Sequence, residues 1–130
     1  MSVIRGLAEV VLTVQDMQAS VAFYRDVLGL EVISPPDFKG PRFLQAGGGA
    51  AYVANMIVLA PAKAGTPPYA APQSLNHIGL EMDGAHFDAE VARIQALGYE
   101  VRFGKHPLFD SRTAYVSDPD GNDVELISPA

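Results

Sequence analysis

The chain is written twice. Glu9-Val10-Val11-Leu12-Thr13-Val14 alternates as a half-buried strand does, and His77-Ile78-Gly79-Leu80-Glu81-Met82 repeats the alternation 68 positions later. Each runs into a stretch with helical periodicity. In the first copy Asp16 is the predicted N-cap, Met17, Val21, Tyr24, Val27 and Leu28 form the apolar stripe, and Gly29 stops it. In the second copy Phe87, Val91, Ile94 and Leu97 form the stripe and Gly98 stops it. Leu28-Gly29-Leu30-Glu31-Val32 then matches Leu97-Gly98-Tyr99-Glu100-Val101 at a shift of 69, so the register holds through the helix and into the return strand. Such a repeat confines the fold to two copies of one supersecondary unit.

Each helix is followed by enough β-prone sequence for three strands. In the second copy they are predicted at 100–103, 113–117 and 123–128, with Asp118-Pro119-Asp120-Gly121 as the turn before the last. In the first copy they are predicted at 30–34, 42–46 and 53–59, with Pro35-Pro36 and Gly47-Gly48-Gly49 between them. The unit is therefore βαβββ and the fold class α+β, with two tandem modules expected to curl into a mixed-sheet cup whose helices lie on the convex side. Module 1 spans about 5–60 and module 2 about 74–128. Residues 61–73, with four prolines and no apolar period, read as the linker. At 130 residues and 48% hydrophobic, the whole chain 1–130 fits a single domain with a real core.

Composition excludes several partners. A net charge of −6 opposes nucleic acid, whose phosphates call for a basic face. No apolar run approaches the ~20 residues that span a bilayer, and MSVIRGLAEV lacks the features of a signal peptide, so no membrane partner and a cytoplasmic location are expected. The absence of cysteine leaves His, Asp and Glu as the donors for any metal.

Strand parity then selects candidates. Val10, Leu12 and Val14 face the first helix, which sends Glu9, Val11 and Thr13 to the other face; Ile78, Leu80 and Met82 do the same for His77, Gly79 and Glu81. On the last strand Val124 and Leu126 are core and Glu125 faces away, its repeat-mate being Val58. Four equivalent positions result: Glu9, Val58, His77 and Glu125. Singly, His77 reads as a hydrogen-bonded strand residue and Glu9 and Glu125 as solvated edges; the repeat places all three on one side of equivalent strands. One imidazole and two carboxylates suit a divalent Fe, Mn, Co, Ni or Zn ion with open positions for water or substrate. His106, in the loop after Phe103, is a candidate general acid or base.

The segment Ser20-Val21-Ala22-Phe23-Tyr24-Arg25-Asp26-Val27-Leu28-Gly29-Leu30 resembles the first helix of the glyoxalase, bleomycin resistance and extradiol dioxygenase (vicinal oxygen chelate) superfamily. Tyr115-Val116-Ser117-Asp118-Pro119-Asp120-Gly121-Asn122-Asp123-Val124-Glu125-Leu126 resembles its closing hairpin. The resemblance implies metal ligands from the first and last strands of each module, here Glu9, His77 and Glu125 as metal ligands. It also implies a tyrosine near the metal, here Tyr115, as in the ring-cleaving members. Glu9 stands where such families usually carry histidine, and Val58 where glyoxalase I carries a glutamate ligand. Thr13 replaces an arginine that bacterial glyoxalase I uses for glutathione. The implied function is a metal-dependent lyase, isomerase or dioxygenase acting on a small-molecule substrate that chelates the metal through adjacent oxygens. The alternative is a metal-free antibiotic-binding or resistance protein. The resemblance and the linker, which would let modules pair within one chain or across two, together point to a homodimer.

Overall fold

A computed structural model describes residue 3 and residues 6–48, 55–63 and 75–130. Its contacts divide the chain into two compact units between residues 68 and 69. The first holds β1 (Glu9–Val14), α1 (Met17–Ala22), β2 (Glu31–Val32), β3 (Arg42–Gln45) and β4 (Met56–Pro61). The second holds β5 (His77–Glu81), α2 (Phe87–Ala96), β6 (Arg102–Gly104), β7 (Ser111–Ser117) and β8 (Asp123–Pro129). Each is a βαβββ module with one four-stranded mixed sheet, in the order β1-β4-β3-β2 and β5-β8-β7-β6. The α+β fold of two repeated modules is therefore as expected. Among the described residues no helix is long and apolar enough to cross a membrane.

The repeat extends to strand register. β1 pairs parallel with β4, setting Val11 against Val58; β5 pairs parallel with β8, setting Gly79 against Glu125. Val58 and Glu125 thus occupy the same sheet position. The antiparallel pairing carries the equivalence one strand further, with Phe43 against Val58 and Tyr115 against Glu125.

Asp16 caps α1 as predicted, its Oδ1 accepting the Ala19 amide at 3.0 Å. The stripe then departs from expectation. The last turn, Phe23–Val27, is π-helical, with the Leu28 amide bonding back to the Phe23 carbonyl at 3.1 Å. The wider turn accompanies burial of consecutive aromatics, Phe23 and Tyr24, whose rings meet edge to face at 5.1 Å. Gly29 and Gly98 end the two helical segments at φ +77° and +96°, a region L side chains adopt at a cost. In α2, Phe87, Val91 and Ile94 are buried as predicted, but Leu97 is 54% exposed. It lies beyond the last helical turn, where the chain has already left the sheet face, so it drops out of the stripe.

Strand ends moved by one to three residues. β2 is confined to two residues, β4 begins at Met56, and β6 and β7 start at Arg102 and Ser111. Residues 53 and 54 of the expected strand, and most of the expected linker, lie outside the described residues. Pro61, expected to open the linker, closes β4 opposite Val14.

The core of module 2 joins Phe87 and Val91 of α2 to Ala114 of β7, with Met82 and Val101 at its edge. The Arg112 guanidinium lies 4.3 Å from the centre of the Phe87 ring. Replacing Phe87 by Ala should destabilise the protein by about 3–5 kcal/mol, whereas Leu97→Ala should change stability by no more than about 0.5 kcal/mol. Urea denaturation of the two variants checks this, and equal losses would contradict the packing described.

Candidate metal centre

The face of the second sheet turned away from α2 carries the polar groups. Period two along each strand, together with the register, lines up Gly79, Glu125, Tyr115 and Arg102 across β5, β8, β7 and β6. His77 stands two residues before Gly79 on the same face.

Glu125 is 3% exposed, although sequence parity set it apart from the core. A carboxylate so buried needs partners, and it has two. Its Oε2 accepts the Tyr115 hydroxyl at 2.6 Å, and its Oε1 lies 3.3 Å from His77 Nε2. His77 packs edge-on against the Tyr115 ring, with centroids 5.6 Å apart. The imidazole Nδ1 is 2.6 Å from Asn76 Oδ1. An amide oxygen accepts only, so Nδ1 carries the proton, and in the neutral ring Nε2 turns a lone pair toward Glu125. A lone pair facing a carboxylate oxygen is unfavourable unless a proton or a cation lies between them.

The donor chemistry therefore fits a divalent cation. Tyr115 occupies one carboxylate oxygen and leaves the other for a metal, while Asn76 leaves Nε2 free to ligate. The neighbouring backbone leaves room as well. A Cβ at Gly79 would stand 3.1 Å from Ile127 Cδ1 and 3.7 Å from Glu125 Oε1, so glycine keeps this side of the carboxylate open.

Of the residues selected from sequence, the structure gathers His77, Glu125 and Tyr115. Glu9 is exposed at the start of β1 in the first module, at the repeat position of His77. Within neither module, among the described residues, do three or more His, Asp or Glu side chains group as a metal site. His106 sits in the loop between β6 and β7. Its Nδ1 accepts the Leu108 and Phe109 amides at 3.1 and 3.3 Å, so the ring is tied to its own loop, tilted against Phe109 at 5.1 Å. It lines a cavity of about 440 Å³ with Glu81, Phe109, Asp110, Ser111 and Ile127. Glu81 and Ile127 are paired two residues along from Gly79 and Glu125.

Sequence reasoning missed Asn76, Arg102 and the Asp123–Ser117 pair. Asp123 was within reach of parity, two residues before Glu125. Arg102 was not, because its place depends on how β6 registers with β7. Arg102 bonds Asp123 at 2.7 Å and Ser117 at 3.3 Å, and Ser117 donates to Asp123 at 2.9 Å. The hydrogen bond from Arg102 holds the Asp123 carboxyl below its usual range.

The Glyoxalase/Bleomycin resistance protein/Dioxygenase superfamily model matches residues 6–126. The chain belongs to this superfamily. It is 31% identical to a lactoylglutathione lyase of Salmonella typhimurium over 134 aligned positions, covering 93% of this chain and 90% of that protein. Among solved structures it is similar to the lactoylglutathione lyase of Agrobacterium tumefaciens, at 28% identity and a TM-score of 0.71, over 98% of this chain and 96% of that one. It is likewise similar to an antibiotic binding protein from Streptomyces sp. CB03234, at 28% identity and a TM-score of 0.70, over the full length of both.

The hydrogen bond to Glu125, with burial and the Glu125 charge adding to it, pushes the Tyr115 hydroxyl from 10 up to about 12. The group's contribution to stability is thus complete below pH 10 and is lost as pH rises to about 12. A near-ultraviolet titration of chelator-treated protein should include a step near 12 that belongs to Tyr115. Tyr115→Phe should remove that step, and Glu125→Gln should move it back toward 10. A wild-type profile without a step near 12 would mean the hydrogen bond does not persist in solution.

Proposed function

We propose that this protein is a small metal-dependent enzyme of the lyase, isomerase or dioxygenase type. Its substrate is a small molecule that presents two adjacent oxygens to a divalent Fe, Mn, Co, Ni or Zn ion. The observation that carries the reading is the buried Glu125 carboxylate, whose Oε1 lies 3.3 Å from His77 Nε2 while Asn76 holds the other ring nitrogen. His77 and Glu125 are two ligands. Glu9, the repeat-mate of His77, is the third, supplied by the same chain or by a second copy.

A cation bound there would supply a Lewis acid toward the two substrate oxygens. The protein's own groups do the remainder. Asn76 fixes the imidazole tautomer, and Tyr115 aims the carboxylate. Glu125 is the one carboxylate among them placed to take or return a substrate proton, with Tyr115 as the neighbouring donor. His106, poised in the adjoining cavity with its proton on Nε2, is the second acid–base candidate. The cavity wall of Phe109 and Ile127 suits the substrate's carbon body.

Both modules act as one functional domain, in a cytoplasmic homodimer. Val58, where the repeat places a second Glu125, offers no donor, so the ligand set differs from a four-ligand arrangement. A second reading rests on the full-length likeness to the antibiotic binding protein: a metal-free module that holds a small molecule on the same face.

Metal analysis of protein purified without chelator separates the two readings. Glu125→Ala should weaken metal binding by more than the roughly 10–100-fold that loss of an outer-shell partner costs, while the fold persists. Val58→Ala, at the equivalent position, should keep a full complement of metal. Retention of metal by Glu125→Ala, or equal loss in Val58→Ala, would reject the ligand set; wild-type protein with no metal affinity would favour the binding module. Light scattering at micromolar concentration should give the mass of two chains, and a monomer there would reject the dimer.

A further inference from the structure

We infer that Arg102 is the specificity determinant of this face and that the substrate bears a carboxylate or similar anion beyond its chelating oxygens. The inference rests on the reading of His77 and Glu125 as metal ligands and names the substrate class for that site. Its basis is the row across the sheet. Glu125, Tyr115 and Arg102 are directly paired on β8, β7 and β6, and from that row the guanidinium leans past the tyrosine ring to Ser117 and Asp123, the next pair along β7 and β8. The Arg102 guanidinium carbon lies 5.9 Å from the centre of the Tyr115 ring.

The arginine is fixed yet unsaturated. Asp123 and Ser117 hold its Nη2, which sets the plane of the fork. Its Nε and Nη1 have no hydrogen-bond partner among the described residues. The side chain is 46% exposed, so these donors are open to a ligand. The other arginines of the module are committed elsewhere: Arg93 pairs with Glu90 along α2, and Arg112 pairs with Asp88 over the Phe87 ring. Asp123 offsets the arginine's charge, so the attraction to an anion is short-range and depends on the open donors rather than on net charge.

Spacing sets the shape of the ligand. Neighbouring strands lie ~4.8 Å apart, so the main chains at Glu125 and Arg102 are separated by about 10 Å. The Arg102 side chain reaches back to Asp123 on β8, so its open donors lie nearer Glu125 than the main chains do, and a single aromatic ring or short aliphatic body carries the chelating oxygens at one end and the anion at the other.

The experiment compares matched ligands by calorimetry. With manganese-loaded protein the pair is catechol and 3,4-dihydroxybenzoate; with chelator-treated protein it is benzamide and benzoate. Wild type should bind the carboxylate member of each pair roughly tenfold more tightly, the scale of a charge-assisted hydrogen bond pair. Arg102→Met should remove that preference and leave catechol binding unchanged, and Arg102→Lys should restore only part of it. No preference for the carboxylate in either pair, including no binding at all, overturns the role of Arg102, as does a preference that survives in Arg102→Met. If loaded protein ignores catechol while benzoate is still preferred through Arg102, the chelation reading fails and the anion subsite stands.

Discussion

Parallel pairing of β5 with β8 is the constraint from which the candidate centre follows. It sets Gly79 beside Glu125, leaving space where any other residue would bring a Cβ against Ile127. The antiparallel partner β7 then has to present Tyr115 to the same carboxylate. A slip of one residue would turn Glu125 toward α2, where Val124 now sits fully buried. There a carboxylate would meet only apolar groups, at a cost of several kcal/mol. Register and chemistry are therefore coupled: the pairing that buries the correct apolar set is also the pairing that gives Glu125 its donor.

The two modules share this frame and differ in what they hang on it. Where module 2 has Tyr115 against Glu125, module 1 has Phe43 against Val58. Hydroxyl and carboxylate are absent together. That is the physically economical pattern, because deleting one member of a buried polar pair strands the other, whereas apolar groups at both positions leave nothing unsatisfied. Phe43 gains Phe38 edge to face at 5.7 Å instead. One copy thus concentrates the polar chemistry, while the first strand of the other carries the exposed Glu9 and the half-exposed Val11.

Within module 2 the polar groups form two linked sets that share a tyrosine. His77 and Glu125, with Asn76 fixing the imidazole, are the donors suited to a cation, while Asp123 and Ser117 hold Arg102. Tyr115 touches both, through its hydroxyl on Glu125 and its ring face under Arg102. Electron density and position at this one side chain therefore bear on both ends of the proposed ligand. The similarity to both a lyase and an antibiotic binding protein shows one frame carrying different functions, so function has to be read from the side chains it displays.

The repeat, the strand parity and the equivalence of Glu9 with His77 and Val58 with Glu125 were legible in the sequence, because they are local. Period two and period 3.6 are written residue by residue, and a shift of 68–69 is visible without any fold. Leu97 misled because helical spacing continues past the point where the helix leaves its sheet. Everything that joined residues distant along the chain belonged to tertiary structure. Tyr115 opposite Glu125, Arg102 paired in the same row, and His106 held by its own loop through Nδ1 depend on register and loop path. Those are set by packing whole elements against one another, and no single segment carries them. The sequence by itself determined which residues share a face; only the folded sheet decided which of them touch.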